Sequence, residues 1–141
     1  MSDIAANKDV LRRFLTEVWS NGDIDACDRY IATKYTIQHD PGDPWDKREL
    51  DIAGYKERVT LSRAPFPDQV FTIQELVGEA ENVVVSWLWS GTHQGDIPGF
   101  PATGRRINMS GITVYSFKDG RLTGHWQVTD RLGVLMQLRQ S

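Results

Sequence analysis

One cysteine, Cys27, stands among the 141 residues, so no internal disulfide can form and the fold must rest on its core. Its place between Ile24 and Ile31 at helical spacing makes it a buried, inert thiol rather than a nucleophile. No apolar run is long enough to span a bilayer, and the start Met1-Ser2-Asp3-Ile4 lacks the basic and apolar regions of a signal peptide. The expectation is a cytoplasmic protein with no membrane partner. Basic residues are scattered over a chain of net charge −3, which leaves no cationic stripe for a nucleic acid. There is no internal repeat or low-complexity segment. The three histidines lack close ligand spacing and there is no second cysteine, so no metal site is assigned. What remains is an ordinary globular composition, 40% hydrophobic and 25% charged, at the length of a single domain covering 1–141.

Val10, Leu11, Phe14, Leu15, Val18 and Trp19 recur at three and four and predict a helix with one apolar face. Asn21-Gly22 stops it. Asp23 can cap a second short helix carrying Ile24, Cys27, Tyr30 and Ile31. Tyr35 to His39 suits a short strand that runs into the turn-rich stretch Asp40-Pro41-Gly42-Asp43-Pro44. A third helix, carrying Ile52, Tyr55 and Val59 on one face, must end before Pro65 and Pro67.

Past Pro67 the apolar period changes to two. Residues 70–77, 82–93, 106–117 and 121–130 read as strands, with hairpin signals at Glu79-Ala80-Glu81-Asn82 and Lys118-Asp119-Gly120. The Gly- and Pro-rich connection 95–104 is too long for a minimal turn and can overhang a cavity mouth. Leu132, Leu135, Met136 and Leu138 suit a closing helix. Helices first and an antiparallel meander afterwards is an α+β order, and Gly91, Gly111 and Gly124 give the long strands places to bend around the helices. A flatter sheet without a cavity satisfies the same periodicity.

Alternation places Val83, Val85, Trp87, Trp89, Gly91 and His93 on one face of the second long strand. Along the last strand it places Leu122, Gly124, Trp126, Val128 and Asp130 in one row and leaves His125 on the outer surface or in a dimer contact. A carboxylate ending an apolar row is a candidate general base, because lost hydration strengthens it. The same Asp130 can instead cap the helix that begins at Arg131. His93 and His39 can each polarise a carbonyl, or be packed histidines with one satisfied hydrogen bond. Trp87, Trp89, Trp126, Tyr55, Phe66 and Phe100 can line a site for a small hydrophobic ligand, or form plain core.

Five stretches together resemble the SnoaL-like polyketide cyclase and ester cyclase family of the nuclear transport factor 2-like superfamily. They are Phe14-Leu15-Thr16-Glu17-Val18-Trp19-Ser20-Asn21-Gly22-Asp23, Gly54-Tyr55-Lys56-Glu57 with Phe66-Pro67-Asp68, Gly91-Thr92-His93-Gln94-Gly95, Pro101-Ala102-Thr103-Gly104-Arg105-Arg106, and the terminal Trp126–Leu138. The resemblance implies a cone-shaped curved sheet wrapped around three N-terminal helices, a homodimer built sheet against sheet, and no metal or organic cofactor. It further implies an intramolecular aldol ring closure on a hydrophobic carbonyl substrate with an aspartate as base, matched here to Asp130, and with His93 or His39 as donor. The same fold also hosts isomerases, non-enzymatic binders of small apolar ligands and dimeric interaction modules.

Overall fold

The computed structural model describes residues 3–140. Helix α1 (Ile4–Phe14) is capped by the Asp3 side chain, which accepts from the Ala6 N–H, and it runs directly into π-helical turns over Leu15–Ser20. The wider turns show in the Asn21 N–H, which reaches back five residues to the Thr16 carbonyl at 2.8 Å. Leu11, Phe14, Leu15, Val18 and Trp19 are all buried, as their spacing predicts. A 3₁₀ turn (Ile24–Ala26) leads to α2 (Cys27–Tyr30), and α3 (Ile52–Arg63) is capped by Asp51. No helix among the described residues is long and apolar enough to cross a membrane.

Among the described residues six strands form one sheet in the order β2-β1-β6-β5-β4-β3. They are β1 (Ile31–His39), β2 (Glu49–Leu50), β3 (Val70–Glu79), β4 (Asn82–Thr92), β5 (Arg106–Lys118) and β6 (Arg121–Thr129). Strands β3 to β6 form the expected antiparallel meander. Strand β1 begins four residues earlier than its short alternating stretch suggests and pairs parallel with β6. Helix α4 (Arg131–Leu138) closes the chain. The helices pack on the inner face of the curved sheet, and the inner residues of β4, Val83, Val85, Trp87 and Trp89, are buried against them.

Alternation does not run through β6 unbroken. Ser116 pairs with Gly124 but the next residue of β5, Phe117, pairs with Leu122, so β6 holds one extra residue there. This bulge reverses the faces. Leu122 points inward before it; after it His125 is buried, while Trp126 and Val128 are 43% and 45% exposed on the outer side. Gly124 is required at this point, because a Cβ there would stand 2.5 Å from the Thr36 carbonyl oxygen of the adjoining strand. The row expected to hold Asp130 inside is therefore the outer row, and His125, Gln127 and Thr129 take its place within.

Candidate active site

The curved sheet, the helices and two loops enclose a cavity of about 600 Å³. Its apolar wall comes from Trp19, Phe66, Phe71, Trp87, Trp89 and Met109. The π-helical turns carry Trp19 to this wall, where its indole N–H donates to the Tyr55 hydroxyl at 3.1 Å. Trp87 packs edge-on against Phe71 and Phe66 edge-on against Trp89, with ring centres 5.0 and 4.9 Å apart. Gly111, paired with Trp87 across the ladder, leaves the room that the indole occupies.

The opposite wall is polar and is built on Asp40, the residue that follows β1. Asp40 is 1% exposed and lies behind the cavity-lining side chains of His125, Gln127, Arg58 and Arg131. Its Oδ2 accepts from His125 Nε2 at 2.9 Å, Gln127 Nε2 at 3.1 Å and Arg58 Nη2 at 3.3 Å. Oδ1 has two contacts, both long, from Gln127 at 3.3 Å and Arg131 at 3.4 Å. Arg58, from α3, also pairs with Asp43 at 3.1 Å, and its guanidinium lies over the Trp19 and Tyr55 rings. Two carboxylates and two guanidiniums thus balance in charge where neither sign is buried alone.

Burial by itself raises the Asp40 carboxyl, but the His125 hydrogen bond and the positive Arg58 and Arg131 outweigh it and hold the group below its ordinary value. Burial pushes His125 down, so the imidazole is neutral, and the Asp40 bond only partly opposes that shift. Tyr35 is held well above its ordinary value by burial and keeps its proton, which it donates to His125 Nδ1 at 2.6 Å. The remaining imidazole hydrogen is therefore on Nε2 and points at Asp40.

The residues singled out from sequence divide between the two sides of the sheet. Trp87, Trp89 and Phe66 line the cavity; Tyr55 is buried beneath Trp19, and Phe100 packs on the core from the 95–104 loop. Trp126 is outside, stacked on His39 at 4.5 Å, so neither faces the cavity. His93 is buried behind Phe66, with Nδ1 on the Thr103 hydroxyl at 2.9 Å. Asp130 is exposed and caps α4 through the Gly133 N–H at 2.9 Å, the helix-capping alternative rather than a place on the inner wall. His125, expected outside, is within. Asp40, Arg58 and Gln127 were not singled out: Asp40 sits in a turn-rich loop, and Arg58 interrupts no apolar pattern. Among the described residues no group of three His, Cys, Asp or Glu side chains is arranged to hold a metal ion.

The sequence profile of the SnoaL-like polyketide cyclases matches residues 9–138. The chain belongs to that family. It is 27% identical over 140 residues to aklanonic acid methyl ester cyclase DauD of Streptomyces sp. strain C5, covering 92% of this chain and 80% of that one. The corresponding cyclase of Streptomyces peucetius, DnrD, is 26% identical over 139 residues, 92% of this chain and 88% of its own. Among solved structures, a provisionally named polyketide cyclase of Acidithiobacillus ferrooxidans is 62% identical, superposes with a TM-score of 0.93 and is covered to 99%, as is this chain. TsrD of Streptomyces laurentii is 27% identical with a TM-score of 0.83, over 99% of this chain and 98% of that one. These relatives support a cyclase-type function on the α+β fold described above.

Proposed function

We propose that the protein closes a ring in a hydrophobic, polyketide-like ester by cofactor-independent acid–base catalysis, with Asp40 as the proton acceptor. The observation that carries this reading is a buried, ionised carboxylate set directly behind the polar wall of a cavity whose other wall is aromatic. The half-exposed Arg131 side chain, at 3.4 Å, swings aside to open Asp40 Oδ1, the less engaged oxygen, to the cavity, and Oδ1 takes the proton from a carbon flanked by two carbonyls. The enolate carbon then attacks a second carbonyl of the same molecule. One carbon–carbon bond forms, the new alkoxide takes the proton back from Asp40, and no atom is gained or lost.

Arg58 and the second amide hydrogen of Gln127 stabilise the enolate oxygen, while His125, fixed by Tyr35, holds the carboxylate in place. A base held below its ordinary value is weak. It suffices only because a carbon between two carbonyls is already acidic, which restricts the substrate to that class. The outer face, with Leu88, Ile112, Trp126 and Val128 exposed, is proposed to pair with the same face of a second copy.

The test is turnover of aklanonic acid methyl ester, followed by chromatography, in the native protein and in Asp40→Asn. Loss of about a hundredfold to ten-thousandfold in kcat with binding retained is expected. Unchanged turnover in Asp40→Asn refutes the assignment of the base. Tight binding without turnover by the native protein returns the chain to the non-enzymatic binders of this fold.

A further inference from the structure

Thr113 on β5 is wholly buried and lies one residue away from the polar wall. Its hydroxyl accepts from the Trp87 indole N–H at 2.9 Å and stands 2.6 Å from Gln127 Oε1. The directions of these bonds are fixed by chemistry. The ionised Asp40 carboxylate can only accept, so the side of the Gln127 amide that faces its two oxygens is Nε2, and Oε1 faces Thr113. An indole nitrogen can only donate and an amide oxygen can only accept, so the single hydroxyl hydrogen of Thr113 points at Gln127 and holds the amide in that orientation. A one-way chain therefore runs across the inner face of three adjacent strands, from an aromatic residue of the cavity wall to the carboxylate.

The geometry assigns Thr113 as a positioning residue, which locks the amide of Gln127 with its donor side toward Asp40 and so couples the aromatic wall to the base. Thr113 does not line the cavity and touches no substrate. Without its hydroxyl the amide can turn over, and a turned amide presents an oxygen lone pair to an anionic carboxylate. Such a change opposes ionisation of Asp40, whose other neighbours, His125, Arg58, Arg131 and the Asp43 carboxylate on Arg58, stay where they are.

The inference rests on Asp40 being the base, and the experiment separates the two. Thr113→Val keeps the shape and removes the hydroxyl; Thr113→Ser restores it. The Asp40 carboxyl is titrated by carbon NMR, which needs no turnover, alongside the pH profile of kcat. Thr113→Val is expected to move the Asp40 midpoint upward and to lower kcat roughly tenfold, less than the about hundredfold of a full 1 Å misplacement. Thr113→Ser is expected to restore both. In a Gln127→Met background, Thr113→Val should change nothing further, because the chain is already cut. If Thr113→Val shifts the Asp40 titration as much with Met at 127 as with Gln, or not at all with Gln, the inference is wrong. If the titration moves as expected while Asp40→Asn leaves turnover intact, the chain stands and the assignment of the base fails. If Thr113→Val does not fold, Gln127→Met alone must raise the Asp40 midpoint, and its failure to do so overturns the inference.

Discussion

Replacing Arg58 by methionine removes the more deeply buried of the two guanidiniums that face the Asp40 carboxylate. The Arg58 side chain is 6% exposed, and the carboxylates it touches, Asp40 and Asp43, are 1% and 11% exposed. Removing one partner of a buried ion pair costs about 3–5 kcal/mol, because the charge left behind keeps its desolvation and loses its compensation. For 141 residues the entropy of unfolding near 60 °C is on the order of 0.3 kcal/mol per degree, so the melting temperature should fall by about 10–17 °C. The assay is calorimetry of the native protein and Arg58→Met at neutral pH and near pH 3. In the native protein the carboxyl of Asp40 is held low, so its contribution is present above the ordinary carboxylate value and is lost as pH falls through the folded one. The variant keeps the His125 hydrogen bond and Arg131 but lacks the share of that contribution due to Arg58, so the two melting temperatures should draw closer in acid. A neutral-pH difference below about 3 °C, or one that persists unchanged at pH 3, refutes the claim that compensation of the carboxylates is the role of Arg58.

Asp130→Ala should cost about 1 kcal/mol, the value of a helix cap, or roughly 3 °C in melting temperature, with turnover near that of the native protein; a large loss of turnover would restore Asp130 to the mechanism. His125 is held neutral, so its contribution to stability is complete above its unfolded value near 6.5 and declines as pH falls below it; melting at pH 7.5 and 5.5 should show that decline, and His125→Phe should lack it. Trp126→Glu places a charge in the exposed outer face and should yield folded monomers by sedimentation if that face pairs copies of the chain. The Cys27 thiol, pushed up to about 11 by burial, should resist an aromatic disulfide reagent at pH 8 until the protein unfolds.

The α+β order, the antiparallel meander, the buried face of α1 and the inner row of β4 follow from periodicity, because in each the pattern repeats over two or more turns or several residue pairs. The parallel pairing of β1 with β6 leaves no local mark, since it joins residues about ninety positions apart. The site was lost at one residue of β6. Gly124 is readable as a bulge position, but sequence alone does not say that the bulge consumes an extra residue, and an error of one reverses every later side chain. Asp40 was hidden for another reason. Its loop has the composition of a plain turn, and only the tertiary approach of α3 and β6 gives it Arg58, His125 and Gln127 as partners.

The bulge has a mechanical consequence as well. Had β6 alternated without it, Trp126 and Val128 would extend the aromatic wall inward, and the polar wall would lose both His125 and Gln127. The extra residue instead places an apolar pair outside, where a second sheet can cover it, and a donor pair inside, where Asp40 needs it. One backbone irregularity therefore serves two surfaces at once. It follows that deleting Thr123, which restores continuous alternation, should expose His125 and Gln127 to the outer side and bury Trp126. Burial of Trp126 and Val128 is not a compensating gain, because Arg58 and both carboxylates would then lie against an apolar wall without donors. Loss of cooperative unfolding in that deletion variant is the predicted result, and retention of a native-like cavity with intact Asp40 titration would contradict it.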